Sequence, residues 1–378
     1  MLGVGNPDQT PVAELWMGAH PKAPSVVVSE QGQQSLADLI EADPETILGV
    51  DTIRRFGPSL PFLFKVLASE KALAMQVHPT KDQANIGFER ENSLGIHLGA
   101  EGRNYLDRNH KPEMLCALEP FWCLAGFRTV QDIAADLKSL HLSAIGEKID
   151  AFVQSRTLSG LKRLFSSIML LNDERRKRFV REVVDKATVS KEIRHKWIVE
   201  LNHQYPGDIG VVSPLFLALL HLRTGQAVYL GAGIIHAYLR GFGIELMSNS
   251  DNVVRGGLSV RHVDIPEFLN ILEYNRRPIQ PIDPQEVTAG TEIYRTRISD
   301  FCLYRIRLKR GLKHVSARKR AVEILICIEG GAVLGAGDDS IQMRKGESFL
   351  VPAGAPTYTL EGKGLLFKAT VKRSRVGR

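Results

Sequence analysis

The 378-residue sequence contains little cysteine. Its four cysteines, Cys116, Cys123, Cys302 and Cys327, form no CxxC pair and no framework spacing. This usage argues against a thiolate metal site and against a disulfide-stapled domain, since both need suitably spaced cysteines. Hydrophobic residues make up 44 % of the chain, which is enough for a core without disulfides. The pattern is typical of a reducing compartment, and we expect a cytoplasmic protein.

Long apolar runs are also lacking. Residues 215–222 and 322–328 are far shorter than the ~20 residues of a membrane-spanning helix. The first residues, MLGVGNPDQT, have neither the basic region nor the apolar stretch of a secretory signal. We therefore expect no membrane insertion and no secretion.

Nucleic-acid-binding motifs are missing, although the formal net charge is +7 and the pI is about 9.2. Much of the basic excess lies in scattered runs at residues 175–178 and 372–378, with no helix-turn-helix, zinc-finger or RNP pattern beside them. A solvated helix face and a frayed terminus explain these runs better than a nucleic-acid patch. An anionic small substrate is a further use for positive charge.

The chain alternates between turn-rich and helical stretches. In residues 11–127, short apolar runs such as PFLFKVLA are separated by Pro and Gly, which is typical of β structure. In residues 129–205, apolar positions recur at helical spacing, and Thr129 with Asp132 resembles a capping box. Strand patterns resume at Pro206 and end in short strands with tight turns. We predict a helical insertion within β material, followed by a small antiparallel sandwich.

Four polar residues in three separate segments are candidates for one metal site. Gln76 and His78 flank Val77 in a strand-like run, so their side chains project to the same face. Glu113 enters the apolar run MLCAL, where a carboxylate needs a counter-charge, and His236 lies between glycines in GAGIIHAYLRGFG. Each histidine taken alone is more commonly a core or surface residue. Together the four favour zinc, although iron, manganese or cobalt would also accept these ligands.

Four long blocks resemble type I mannose-6-phosphate isomerases, and a looser similarity covers nearly the whole chain. The blocks are PVAELWMGAHPKAPS (11–25), LPFLFKVLASEKALAMQVHPTK (60–81), NHKPEML (109–115) and AVYLGAGIIHAYLRGFGIELMSNSDNVVRGGLSVRHVDI (227–265). The resemblance implies a mainly β protein with two cupin (jelly-roll) β-barrel or sandwich domains and an α-helical insertion domain. The expected bounds are 1–127 with 206–290 for the catalytic metal-binding cupin, 128–205 for the insertion and 291–378 for the C-terminal, metal-free cupin. No histidine follows His314, which excludes a histidine-based metal site in the last segment.

The resemblance also implies a zinc enzyme, with one Zn²⁺ per chain. It would interconvert mannose 6-phosphate and fructose 6-phosphate by moving a proton between C1 and C2, through an enediolate stabilised by zinc. The family's zinc ligands fall on Gln76, His78, Glu113 and His236, its essential arginine on Arg255, and other active-site positions on Lys65, Lys111, Glu245 and Arg261. The expected partner is a small sugar phosphate, and the expected state is a monomer or a weak homo-oligomer.

The roles that follow from this match leave alternatives open. Arg255 is expected to stabilise the negative enediolate, and an ion pair with Asp251 is its structural alternative. Three groups are candidates for the base that removes the C2 proton: Glu245, Lys111 with a depressed pKa, and a zinc-bound hydroxide.

The phosphate dianion requires cationic partners. Lys65 follows the apolar residues 62–64 and needs a partner if it is buried, and Arg261 is a second candidate. A surface position is the alternative for each.

Three positions depart from the family pattern. Ala74 replaces the usual Ser two residues before the ligand glutamine, and Ile235 replaces the Pro before the ligand histidine. The family's YAWGS-like strand precedes the region that starts here at Asn6, so we expect the chain to begin some tens of residues late.

Two other functions are considered. One is an iron cupin dioxygenase with a similar ligand set, which has no reason to carry phosphate-binding cations. The other is a non-catalytic sugar-phosphate-binding cupin, which Ala74 and the short N-terminus would suit.

Overall fold

The computed structural model of the protein describes residues 12–30, 32–274 and 278–372. Strands account for 33 % of the chain and helices for 30 %. The description as mainly β is therefore not confirmed, because the helices between the strands contribute nearly as many residues. The start of the region that begins at Asn6 falls in residues 1–11, outside the described part, so the expected late start of the chain stays a prediction.

The elements follow one another in three groups. The first contains β1 (Glu14–Met17), β2 (Val26–Ser29), β3 (Gly32–Ser35), α1 (Leu36–Ala42), α2 (Pro44–Leu48), α3 (Val50–Phe56), β4 (Phe62–Ser69), β5 (Met75–Val77), α4 (Lys81–Ser93), β6 (Glu113–Ala117) and β7 (Phe121–Phe127). The second contains α5 (Val130–Leu140), α6 (Gly146–Ser155), α7 (Leu158–Met169), α8 (Asp173–Thr188), α9 (Ile193–Gln204) and a 3₁₀ helix (Ile209–Leu215). The third contains β8 (Leu217–Leu222), β9 (Ala227–Leu230), β10 (His236–Ser248), β11 (Val254–Gly257), α10 (Ile265–Ile271), β12 (Gln285–Thr288), β13 (Thr291–Tyr294), β14 (Cys302–Leu308), β15 (His314–Val315), β16 (Glu323–Ala336), β17 (Asp339–Arg344), β18 (Ser348–Val351) and β19 (Tyr358–Thr370).

The first large sheet has nine strands, and β10 organises it. This 13-residue strand pairs antiparallel with β4, β5, β6 and β7, and its pairing with β7 shifts register between Tyr238 and Arg240. A bulge bends and twists a strand, so this register shift allows β10 to pair with β4 and β6 along one part of its length and with β5 and β7 along another. Within the described ranges neither this sheet nor the second large sheet closes on itself.

The predicted helical insertion is confirmed in α5–α9. Thr129 begins α5, where its hydroxyl accepts from the backbone N–H of Asp132 at 3.1 Å and donates to its carboxylate. The apolar faces of these helices, including Leu137 and Phe165, form one core with Leu124 and Ile235 of the sheet region. The insertion is therefore attached to the sheet through its core.

The C-terminal strands β12–β19 form a second sheet of eight strands, in which β16 and β19 make the longest pairing. Its apolar residues Leu303, Ile324 and Phe367 share one core cluster with Phe62 and Ile244 of the first sheet. Fully burying a side chain of this size contributes about 1.5–3 kcal/mol. The two sheets therefore stabilise each other.

Among the described helices, none combines the length and the apolar character that crossing a membrane requires.

Candidate metal centre

Three strands deliver the central side chains of the site. His78 follows β5, Glu113 opens β6 and His236 opens β10. The antiparallel registers pair His236 with Gln76 of β5 and Glu113 with Met247 of β10. Residues far apart in the sequence thus meet at one place on the sheet.

A glycine turn fixes the approach of His236. Gly233 has a φ of +75°, which favours glycine because other residues rarely adopt left-handed backbone. Its N–H donates to the carbonyl of His78 at 2.8 Å, so the turn before one histidine is tied to the backbone of the other. A side chain at this position would also lie 2.9 Å from Cβ of Glu273.

The three side chains converge with the spacing of metal ligands. Nε2 of His78 lies 3.3 Å from Oε1 of Glu113, and Nε2 of His236 lies 3.4 Å from its Oε2. Two ligands about 2.1 Å from a tetrahedral zinc ion are about 3.4 Å apart. All three side chains are buried, and their ligand atoms lie within 4.8 Å of one another.

Hydrogen bonds determine which imidazole nitrogen is available. Nδ1 of His78 lies 2.8 Å from the carbonyl oxygen of Asn252, and Nδ1 of His236 lies 2.9 Å from that of Ile234. A carbonyl only accepts, so each Nδ1 carries the proton and each Nε2 presents a lone pair. Both Nε2 atoms and Oε2 of Glu113 are buried without a hydrogen-bond partner in the described chain. Three electron-pair donors facing one another need a cation between them, so the residues fit a metal ion.

The electrostatics of the site favour deprotonated ligands. Burial lowers the pKa of His78 to about 4, against the opposing effect of Glu113. Burial works to raise the pKa of Glu113, but Lys111 and the histidines outweigh it and hold that pKa well below its usual range. Nζ of Lys111 lies 3.1 Å from Oε1 of Glu113. Neutral imidazoles and an ionised carboxylate are the forms that bind metal.

Gln76 is half-buried in β5, between two other candidate residues. Its backbone is paired with His236 on one side and with Arg255 of β11 on the other. Its side chain makes no hydrogen bond within the described residues, which leaves its amide oxygen without a protein donor.

Lys65 belongs to a second buried cluster. Its Nζ lies 3.1 Å from Oε2 of Glu245, 3.6 Å from Oε1 of Glu14 and 5.1 Å from the centre of the Trp16 ring. Burial raises the pKa of Glu245, and Lys65 opposes that rise. The two carboxylates and one ammonium sum to a formal charge of −1, which does not favour a phosphate dianion.

Arg255 is a half-buried cation with no carboxylate within 4.0 Å among the described residues, and Arg261 is exposed and equally unpaired. Burial lowers the pKa of Arg255, and the positive charge of Arg261 lowers it further. The alternative ion pair with Asp251 is wrong, because that carboxylate lies 2.8 Å from Lys22 and 3.4 Å from His20. Two neighbouring cations without counter-ions form a place for an anion.

Sequence reasoning missed Asn252, which is fully buried. Its Oδ1 accepts from the N–H of Leu106 at 2.7 Å, and its Nδ2 donates to the carbonyls of Asp107 and Asn109 at 2.8 Å each. Its own carbonyl holds His78. A run of five polar residues, 248–252, after an apolar strand was the available signal.

A link between the two sheets was missed as well. Oδ2 of Asp300, just before β14, lies 2.8 Å from Nε2 of His110 and accepts from the hydroxyl of Ser248 at 2.8 Å. His110 immediately precedes Lys111. The C-terminal sheet therefore helps to hold the segment that carries Lys111 and Glu113.

Comparison with known proteins identifies the family. Residues 1–130 match the catalytic domain of phosphomannose isomerase type I, residues 134–217 its helical insertion domain, and residues 291–371 the mannose-6-phosphate isomerase cupin domain. A mannose-6-phosphate isomerase of Escherichia coli is 37 % identical over 370 residues, covering 97 % of this chain and 93 % of that protein.

Solved structures agree with these matches. A crystal structure of a mutant phosphomannose isomerase from Salmonella typhimurium has a TM-score of 0.92 and 35 % identity, covering 98 % of this chain and 94 % of that one. A zinc-bound mannose 6-phosphate isomerase has a TM-score of 0.90 at 35 % identity and the same coverage. The expected cupin domain and helical insertion agree with these findings, and the chain belongs to the type I phosphomannose isomerase family.

Proposed function

We propose that the protein is a zinc-dependent isomerase that interconverts mannose 6-phosphate and fructose 6-phosphate. The observation that carries this proposal is the buried cluster of His78, Glu113 and His236, whose facing electron-pair donors have no partner in the described chain. Membership of the phosphomannose isomerase family supplies the reaction.

His78, Glu113 and His236 are the residues proposed to hold the ion, with the amide oxygen of Gln76 as a fourth ligand. Zinc is supported by the mixed nitrogen and oxygen donors and by the zinc-bound relative. When bound, zinc supplies an electrophile that polarises a carbonyl or hydroxyl oxygen. The chain itself keeps the two Nε2 atoms deprotonated and aimed through the carbonyls of Asn252 and Ile234.

We assign charge stabilisation to Arg255 and phosphate binding to Arg261. The enediolate formed when the C2 proton leaves carries a negative oxygen, and preorganised cations stabilise such charge where water is excluded. Arg255 is half-buried and lacks a carboxylate partner among the described residues, so its charge is available to the substrate. Arg261 is exposed nearby, where a dianion can approach.

Lys65 receives a different proposed role from the one expected. Glu245 and Glu14 already engage its ammonium, so we assign it to positioning Glu245. Glu245 is then the proposed base, because its raised pKa brings a carboxylate closer to the working pH. Glu245 then returns the same proton to C1 from its carboxyl group. Lys111, the other ionisable group beside the ligands, is the alternative base.

We also propose that residues 1–127 and 206–290 form one jelly-roll domain, with the insertion at 128–205 and a second jelly roll at 291–378. The matched ranges 1–130, 134–217 and 291–371 support the order of these domains, and the match to the helical insertion extends to residue 217. The four cysteines are all free thiols. They suit a reducing, cytoplasmic setting.

The direct experiment is a coupled assay for fructose 6-phosphate formed from mannose 6-phosphate by the zinc-loaded protein. EDTA should abolish turnover, and added zinc should restore it. A folded, zinc-loaded sample that binds the sugar phosphate without turnover would make the protein a binding cupin. Iron content with oxygen consumption would make it a dioxygenase.

A further inference from the structure

A cavity of about 880 Å³ lies in the C-terminal sheet, and the proposed function does not use it. Side chains from β13, β14, β15, β16 and β19 line it, together with Arg55 of α3. None of the residues assigned above to metal, substrate or catalysis is among its lining. Small-molecule sites in proteins have volumes of about 300–1,000 Å³.

Positive charge dominates the lining. Among the described residues of the lining, seven side chains are Lys or Arg and one is a carboxylate, Glu323, which gives a formal charge of +6 with histidine neutral. The cations are Arg55, Arg295, Arg297, Lys319, Arg320, Lys368 and Lys372. The lining therefore has an excess of positive charge almost as large as the formal net charge of +7 of the whole chain.

The carboxylate of Glu323 already has partners within the protein. Oε1 of Glu323 accepts from Nζ of Lys368 at 2.8 Å, and its Oε2 accepts from the hydroxyl of Tyr358 at 2.7 Å. Nε of Arg320 lies 4.0 Å from the same carboxylate. These contacts satisfy the carboxylate and leave the other cations uncompensated.

Those other cations have no acidic partner within 4.0 Å in the described ranges. Arg55 donates to the carbonyls of Lys372 and Ser299, and Lys372 donates to the carbonyl of Thr296. Carbonyl oxygens satisfy N–H groups but do not neutralise positive charge. Arg297 and Lys319 are exposed at the cavity and form no ion pair or side-chain hydrogen bond within the described chain.

Two buried side chains in the lining carry polar atoms without a hydrogen-bond partner in the described chain. The side chain of Arg320 is 3 % exposed; its Nη2 donates to the carbonyls of Pro352, Ala355 and Pro356, but its Nε and Nη1 make no hydrogen bond in the described chain. Nε2 of His314 is likewise buried and unpartnered, while its Nδ1 lies 2.8 Å from the hydroxyl of Thr291. Buried polar groups are nearly always paired, so unpaired polar atoms beside a cavity, among them two N–H groups of Arg320, indicate a ligand.

We propose that this cavity binds a phosphorylated small molecule, at a site separate from the metal centre. Guanidinium groups match phosphate oxygens with paired, charge-assisted hydrogen bonds. Thr291, Tyr304 and Thr370, which carry hydroxyl groups, line the same space and suit a hydroxylated organic part. The concentration of unneutralised cations selects an anion over a neutral sugar.

The test measures binding of inorganic phosphate to the full-length, zinc-loaded protein by titration calorimetry. The variant R297E/K319E reverses two exposed cations of the cavity, and R310E/R318E reverses two exposed arginines that do not line it. The first should weaken phosphate binding at least about tenfold, the equivalent of one charge-assisted contact, and the second by less than about twofold. Turnover of mannose 6-phosphate should be unchanged in both.

Phosphate binding in the cavity must also be distinguished from phosphate binding at the proposed substrate site. Phosphate binding should persist in the variant R255A/R261A, which removes the unpaired cations near the metal centre. Loss of all phosphate binding in that variant would overturn the proposal, as would equal weakening in the two charge-reversal variants or no binding to the wild type. This test measures phosphate binding and not turnover. A failure of the isomerase assay can therefore be told apart from a failure of the phosphate-site proposal.

Discussion

Asn252 connects a loop to His78, a proposed metal ligand. Changing Asn252 to Asp should lower both the stability of the protein and its affinity for zinc. The side-chain amide donates to the carbonyls of Asp107 and Asn109, while the backbone carbonyl accepts from Nδ1 of His78. Asn252→Asp keeps the shape and the backbone carbonyl. It replaces the two N–H donors with an oxygen that faces two carbonyl oxygens.

The size of the expected stability loss follows from these contacts. Each lost hydrogen bond is worth about 1 kcal/mol, and a buried carbonyl left unsatisfied costs about 1–3 kcal/mol. Asn252 is fully buried, so water cannot replace its amide. We expect a loss of about 3 kcal/mol of stability, or a fall in Tm of about 6–12 °C for the affected domain. Because the carbonyl that orients His78 shifts with the loop, zinc affinity should fall about 10–100-fold.

Thermal unfolding of the zinc-free protein measures the first effect, and competition with a zinc chelator measures the second. Asn270→Asp is the matched control, since Asn270 is exposed and its one side-chain hydrogen bond to the described residues, to Glu267, is long at 3.4 Å. The control should leave both quantities close to the wild type. A destabilised Asn252→Asp protein that binds zinc with wild-type affinity would refute the coupling between the loop and His78.

Three further predictions concern separate parts of the molecule. Arg255→Ala should keep zinc and lose at least about 100-fold in kcat, whereas loss of zinc, measured by metal analysis, would contradict its assigned role. Lys65→Met removes the cation that opposes the raised pKa of Glu245, so the acidic limb of the pH–rate profile should move to higher pH; an unmoved limb would exclude Glu245 as the base. Burial lowers the pKa of His314 to about 4, so the unfolded chain takes up this proton first as pH falls. Stability should therefore decline between pH 6.5 and 4 by this contribution, and urea unfolding of His314→Gln should show a shallower decline across that window.

Several features could be predicted from the sequence because they depend on local patterns. The helical spacing after Thr129 predicted the insertion, since an amphipathic period reflects which face is buried, whatever the partner. The apolar neighbours of Lys65 indicated that it needs a partner if it is buried, and the structure buries it against Glu245 and Glu14, which lie on other strands.

Other features were decided by the tertiary structure alone. Asp251 pairs with Lys22 and not with the nearby Arg255, because the chain folds residues 20–22 onto it. The contact between Asp300 and His110 depends on the packing of the second sheet against the first.

The proposed metal site was likewise predictable from the sequence only in part. The sequence alone predicted Gln76 and His78 as a local pair, since residues two apart on a strand face the same side. The meeting of His78 with Glu113 and His236 required the register of β10 against its neighbours, a property of long-range hydrogen bonding. Side-chain type and spacing are encoded locally, but which distant strands become neighbours depends on the free energy of the whole fold.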